Sequence, residues 1–120
     1  MPALYTSNTK PDTLKADAYI VYMMMGDYFK SCECDNSRFE KKLFLNYKDF
    51  SFNKQYSREE KIIAKIEGLG EEFLNSLENI DVKARIKIEE NDATVLFYTE
   101  DKKVIVKAAI DKKGSIAFTA

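Results

Sequence analysis

Residues 57–80 read SREEKIIAKIEGLGEEFLNSLENI, and this stretch decides the predicted fold. Apolar side chains recur in it at steps of three and four residues, which is the period of an amphipathic helix with one buried face. We therefore predict a central helix over 57–78 that packs against the rest of the chain. Its apolar stripe consists of Ile62, Ile66, Leu69, Phe73, Leu77 and Ile80, widened by Ile63 and Leu74.

The start and the middle of this predicted helix carry further signals. Ser57 followed by Glu60 is a capping-box pattern, and Glu59 adds negative charge at the positive end of the helix dipole. Gly68 and Gly70 lie inside the stretch, where each glycine costs up to about 1 kcal/mol relative to alanine. The two glycines predict either a close approach by another backbone or a bend in the helix.

Length, charge and apolar content are those of a small globular domain. The chain has 120 residues, 45% of them hydrophobic, and we predict a single domain over 1–120 in which residues 1–12 form an extended N-terminal arm. The 19 basic and 20 acidic residues nearly cancel. We expect no membrane partner, because binding to a membrane or to nucleic acid would need a local patch of charge.

The lack of a recognisable targeting signal and the spacing of the cysteines favour a cytoplasmic protein. The start of the chain lacks the basic segment and apolar run of a signal peptide. The longest apolar run, residues 18–25, is too short to span a bilayer. Cys32 and Cys34 are separated by one residue, so a disulfide between them would be strained and reduced thiols are expected.

Residues 13–34 are ambiguous, because their centre is apolar throughout and shows no clear period. The run over 18–25 contains residues that favour strands, and Gly26-Asp27 is a two-residue hairpin signal. We predict a hairpin that pairs 18–25 with 28–34. The alternative is a helix capped by Asp12. Its apolar face would be Leu14, Ala18, Val21, Met25 and Phe29.

Residues 37–52 also allow two interpretations. Leu43, Leu45 and Tyr47 alternate with other side chains, which predicts additional strands in the N-terminal half. Ser37 and Glu40 form a second capping-box pattern, so the alternative is a short helix over 37–46.

The C-terminal third gives the clearest pattern. Residues 80–88 alternate between apolar and charged side chains, which predicts a half-buried strand. Further strands are predicted over 93–99, 104–110 and 116–118, and short turns make consecutive strands antiparallel neighbours. The predicted fold class is α+β, with a four-stranded antiparallel meander packed on the helix over 57–78 and additional strands, or alternatively a helical segment, in the N-terminal half.

Residue types that carry common catalytic chemistry are missing or isolated. The chain has no histidine, and its glycines do not form a phosphate-binding motif. Cys32, Glu33, Cys34 and Asp35 are the densest group of metal-ligating types, but a structural zinc site needs four ligands, usually Cys or His. We therefore predict no catalytic residues, no metal site and no cofactor, and we expect that the protein is not an enzyme.

The outer face of the predicted meander is the candidate binding surface. Basic rows on its first and third strands flank an apolar and aromatic strip. Such a face suits a solvated surface, a protein interface with a charged rim, or a site for a single strand or a nucleotide. The candidate residues are Lys83, Arg85, Lys87, Leu96, Tyr98, Lys103, Ile105 and Lys107.

These observations favour a small non-catalytic binding or inhibitor module. We expect it to act by occupying a protein partner or a small ligand, and to form a homo-oligomer. An anti-defence factor of a phage or mobile element would have this character. The alternative is a nucleic-acid or nucleotide binder that uses the basic and aromatic outer face of the sheet.

Overall fold

The computed structural model describes residues 12–52 and 58–120, and it confirms the predicted α+β class. The helices in these ranges are α1 (Thr13–Gly26), α2 (Ser37–Phe52), α3 (Glu59–Glu67) and α4 (Glu71–Ser76), the last continued by a 3₁₀-helix (Leu77–Asn79). The strands are β1 (Ser31–Cys34), β2 (Asp81–Ile88), β3 (Asp92–Tyr98), β4 (Val104–Asp111) and β5 (Ile116–Thr119). The proposed arm, except for Asp12, and the Ser57 cap lie outside the described residues.

The five strands form one sheet in the order β1-β2-β3-β4-β5. β1 runs parallel to β2, and each later pair is antiparallel. The register between β3 and β4 shifts at the end of β3, where Phe97 pairs with Val106 but Tyr98 pairs with Val104. Ile105 is therefore an extra residue in β4, which is the pattern of a β-bulge.

The helix at the centre of the core is α1, so the predicted hairpin of 18–25 with 28–34 is wrong and the helical alternative is confirmed. The side chain of Asp12 caps the helix by accepting a hydrogen bond from the Leu14 N–H at 2.9 Å. The run is apolar on all sides because α1 lies between the sheet and α2. Its buried apolar residues are Leu14, Ala16, Ala18, Ile20, Val21 and Met25.

The Gly26-Asp27 signal marks the end of α1 instead of a hairpin turn. Asp27 is the C-cap, and its N–H donates to the carbonyl of Met25. The chain then enters β1. This strand pairs with β2, which lies about 50 residues later in the sequence, and Ser31 is opposite Asp81. The N-terminal half thus contributes a single short strand to the described sheet.

The segment over 37–52 is also helical, which corrects the predicted strands and extends the alternative helix by about two turns. The cap comes from Asn36 and not from Ser37, since the Phe39 N–H donates to Oδ1 of Asn36 at 3.2 Å. α2 packs on α1 through aromatic contacts, with the ring of Tyr19 5.7 Å from that of Phe44 and 5.3 Å from that of Tyr47.

The predicted helix over 57–78 is divided into α3 and α4. Gly68 is the C-cap of α3, and Gly70, with φ of +100°, is the N-cap of α4. This φ value is favoured by glycine and disfavoured by residues with a Cβ atom, so the chain changes direction at Gly70. The predicted apolar stripe is consequently buried unevenly: Ile62 and Ile66 are fully buried, whereas Phe73 is half-buried.

The core joins the inner face of the sheet to α1 and α3. Phe97 from β3 stacks on Phe29, with ring centroids 5.6 Å apart. The one buried charged residue in the described ranges is Asp17 of α1, which pairs with Arg58 at the start of α3. No helix in those ranges has both the length and the apolar character needed to cross a membrane.

Candidate functional site: the outer face of the sheet

The outer face is the side of the sheet opposite α1. Side chains alternate along a strand, and the inner residues of β2 include Val82 and Ala84. Lys83, Arg85 and Lys87 therefore project from the outer face, where all three are exposed. Their position agrees with the sequence-based prediction for this strand.

β3 supplies the apolar and aromatic strip beside this basic row. Leu96 lies opposite Arg85 on one side and Lys107 on the other, and Tyr98 lies opposite Lys83. Both strip residues are half-buried. The fold thus brings together most of the predicted site residues on one surface.

Ile105 and Lys103 are the exceptions. Because the bulge shifts β4 by one residue, Ile105 packs against the core, and Val104 takes its predicted place beside Tyr98. Val104 is 48% exposed. Lys103 precedes the strand, in a turn where its carbonyl accepts from the Thr99 N–H at 2.9 Å. The predicted outer position of Ile105 is therefore wrong, whereas Lys103 is exposed but lies before the strand and not within it.

Asp35 is a member of this surface that sequence reasoning missed. The Tyr98 hydroxyl donates to Oδ2 of Asp35 at 2.6 Å, and Nε and Nη2 of Arg85 lie 3.3 Å from the same oxygen. The Arg85 guanidinium also lies 5.4 Å from the centre of the Tyr98 ring, within the range of a cation–π contact. We call Asp35, Arg85 and Tyr98 the Tyr98 cluster.

The electrostatics of the Tyr98 cluster follow from these contacts. The hydrogen bond from Tyr98, followed by the contacts with Arg85, lowers the pKa of Asp35. The same hydrogen bond raises the pKa of Tyr98, because the proton is held between the two groups. At neutral pH, Asp35 is therefore a carboxylate and Tyr98 a neutral hydroxyl. Their contacts with Arg85 fix the orientation of the aromatic ring.

The surface around the cluster is shallow. The hollow next to Tyr98 has a volume of about 90 Å³ and is lined by Arg85, Leu96, Lys102 and Val104 in addition to Tyr98. Sites that enclose small ligands usually have roughly 300–1,000 Å³. The hollow could accept one side chain of a partner but could not enclose a nucleotide.

The cysteines lie on the other side of the sheet and do not form part of this surface. Cys32 and Cys34 are free and half-buried. Burial, followed by the charge of neighbouring groups, raises the pKa of Cys32 to about 12, so its thiol is protonated at neutral pH. Within the described parts of the chain, no group of three or more Cys, Asp or Glu side chains could hold a metal ion.

Comparison with known proteins adds no family to this description. No protein-family model matches the chain. No curated protein and no solved structure matches it either.

Proposed function

We propose that this protein is a non-catalytic binding module whose protein partner docks on the outer face of the sheet. The observation that carries the proposal is the Tyr98 cluster, which holds an aromatic ring on a sheet face opposite the helices α1 and α3. A tyrosine that is already ordered loses little conformational freedom on binding, and tyrosine is enriched among residues that dominate interface energetics.

The distribution of side chains over this face resembles the centre and rim of an interface. Leu96, Tyr98 and Val104 form an apolar centre. Lys83 and Lys107 border it, and neither forms an ion pair with another described residue. A partner with an apolar contact and carboxylates around it would complement this pattern.

An inhibitor acts in this way, by occupying a surface that its target needs, and an anti-defence factor of a phage or mobile element is one form such an inhibitor takes. Self-association through the same face would give the expected homo-oligomer. Neither role requires a reactive residue or a deep cavity, and the hollow beside Tyr98 is small, with a volume of about 90 Å³.

A nucleic-acid or nucleotide binder is the second candidate. The row of Lys83, Arg85 and Lys87 beside Tyr98 favours it, because phosphate contacts and aromatic stacking together bind single strands. Two carboxylates weaken this case. Glu33 lies next to Lys83 in the sheet register, and Asp35 already engages Arg85. Both carboxylates would repel a phosphate backbone.

Recovery of the partner from the cells that contain the protein tests the proposal. The wild-type chain is used as bait beside Tyr98→Ala, with Glu67→Ala as the control, since Glu67 is an exposed residue of α3, on the opposite side of the sheet. We expect Tyr98→Ala to lose partner binding by about tenfold or more and the control to retain it. If Tyr98→Ala captures a partner as well as the wild type does, the outer face is not the binding site.

A further inference from the structure

A second surface of the molecule lies on α2 and carries most of the exposed apolar side chains. The exposed large hydrophobic residues in the described ranges are Phe44, Leu45, Phe52 and Val104, and the first three belong to α2. Leu45 is 59% exposed and Phe52 is 75% exposed. α2 fully buries only Leu43, so much of its apolar surface faces solvent.

Cations surround these apolar side chains. Arg38, Lys41, Lys42 and Lys48 are all exposed on α2. None of the four forms an ion pair with any residue in the described ranges. The exposed acidic residue on the helix is Asp49. The net charge of −1 for the whole chain therefore conceals a local excess of positive charge.

The helical period orders these residues into a stripe with cationic flanks. With about 3.6 residues per turn, Leu45 and Phe52 project in nearly the same direction. Lys41 and Lys48 lie on one side of them, and Arg38, Lys42 and Asp49 lie on the other, so cations outnumber the single carboxylate. Helices that rest on membrane surfaces have this arrangement, with apolar side chains at the centre and lysine or arginine within reach of the lipid phosphates.

We propose that this face of α2 binds the surface of an anionic membrane. Leu45 and Phe52 enter the headgroup region, and the flanking cations contact the phosphate and carboxylate groups of the lipids. The binding is peripheral and reversible, since it rests on two apolar side chains and on charges that salt can screen.

The position of α2 favours a membrane over an acidic protein as the occupant. α2 packs on α1, which separates it from the sheet, and its Leu45 and Phe52 side chains are exposed on the outside of the molecule. Its 16 residues span about 24 Å. A bilayer surface deforms around protruding side chains, whereas a protein would need a groove of matching length and charge.

Sedimentation with lipid vesicles tests this proposal. The full chain is mixed with vesicles of phosphatidylcholine alone or with about one third phosphatidylserine. We expect at least about tenfold more bound protein on the anionic vesicles, and most of this binding should disappear as the salt concentration rises from about 0.05 to 0.5 M. Leu45→Ser with Phe52→Ser, and separately Lys41→Glu with Lys48→Glu, should each abolish it.

Matched variants outside α2 test whether vesicle binding depends on this particular surface or only on the overall charge and hydrophobicity of the protein. Val104→Ser removes an exposed apolar side chain that lies outside α2, and Lys112→Glu with Lys113→Glu makes the same charge change in the turn before β5. Both should bind anionic vesicles like the wild type. Circular dichroism verifies that every variant is folded. Absence of binding to anionic vesicles at low salt overturns the proposal, and so does binding to polyglutamate without binding to vesicles, which would indicate an acidic protein partner.

Discussion

Nε of Arg58 lies 3.3 Å from Oδ1 of Asp17, a carboxylate that is almost completely buried in α1. The same guanidinium donates from Nη2 to the carbonyl of Gly114, in the turn between β4 and β5. One side chain at the start of α3 therefore joins three elements that are far apart in sequence. A buried ion pair need not stabilise a fold, because removing both charges from water opposes their attraction.

The titration of Asp17 gives the first prediction. Burial raises its pKa from 3.8 to about 6, while the charge and hydrogen bond of Arg58 act in the opposite direction. The folded state thus holds this proton more tightly than the unfolded chain. The resulting stabilisation is complete below about pH 4, is lost as the pH rises through about 6, and amounts to roughly 3 kcal/mol at most.

Comparison with Asp17→Asn isolates this effect, since asparagine keeps the shape of the side chain but does not titrate. Urea unfolding of both proteins at several pH values gives the free energy of unfolding of each. The wild-type value minus the variant value should fall between about pH 4 and pH 6 and then remain constant. A difference that instead rises up to about pH 4 and stays constant at higher pH would show that Asp17 is held as a carboxylate with a lowered pKa.

The second prediction concerns the glycine that Arg58 contacts. Gly114 has a φ of +90°, and a Cβ atom added there would lie 2.7 Å from Nη1 of Arg58. Gly70 has a similar φ of +100°, but a Cβ atom there would meet nothing within 4 Å. Gly70→Ala should therefore cost only the backbone strain of about 1–2 kcal/mol.

Gly114→Ala should cost about 1 kcal/mol more than Gly70→Ala, because the guanidinium must also move away from its two partners. Chemical unfolding of the two variants measures this difference. Adding Arg58→Ala to both should remove the excess cost at Gly114 and leave the effect of Gly70→Ala unchanged. Equal effects of the two alanine substitutions in the presence of Arg58 would contradict the contact.

The elements that could be predicted from sequence are those with a local pattern. Strand β2 alternates strictly, so the outward positions of Lys83 and Lys87 followed from its sequence. α1 could not be identified in this way, because a helix covered on several sides is apolar throughout and loses its period. Asp12 indicated a possible helix start, but the strand-forming residues of the run favoured the hairpin that was predicted.

The candidate site was partly predictable for a related reason. Asp35 reaches Tyr98 only because β1 lies parallel to β2, a pairing between Ser31 and Asp81 that no local signal encodes. Ile105 was placed on the wrong face because a bulge interrupts the alternation of β4 without a distinctive residue.

The third prediction compares how much buried side chains of α1, α3 and α4 contribute to the stability of the core. Ile20 of α1 and Ile66 of α3 are both 0% exposed, so truncation of either to alanine should cost about 2–5 kcal/mol. Phe73→Ala should cost less, since Phe73 is only half-buried, although it belongs to the same predicted apolar stripe as Ile66. Glu67 is exposed, and its replacement by alanine should change stability by less than about 0.5 kcal/mol.

Thermal and chemical unfolding of these four variants provide the measurement. The ranking is informative because it depends on burial and not on residue size. If Phe73→Ala were as destabilising as Ile66→Ala, α4 would be packed more deeply than the structure shows. A small effect of Ile20→Ala would instead contradict the central place of α1.

The last prediction uses the outer face to distinguish a protein partner from nucleic acid. Lys83 and Lys107 lie on either side of the β3 strip, and both are exposed. Replacing both lysines by glutamate should leave the fold intact, because neither is paired with another described residue. At a protein interface with a charged rim, the change should slow association and leave the dissociation rate nearly unaltered.

Binding kinetics at several salt concentrations measure both rates once a partner is available. Single-stranded RNA and DNA serve as the comparison ligands. If nucleic acid is the ligand, the double variant should lose almost all binding, and the wild-type affinity should fall steeply with salt.

Tyr98→Phe adds a second criterion. It removes the hydrogen bond to Asp35 but keeps the ring, so stacking on a base should survive it. A protein interface that depends on the fixed orientation of Tyr98 should weaken, because the ring is no longer held before the partner arrives.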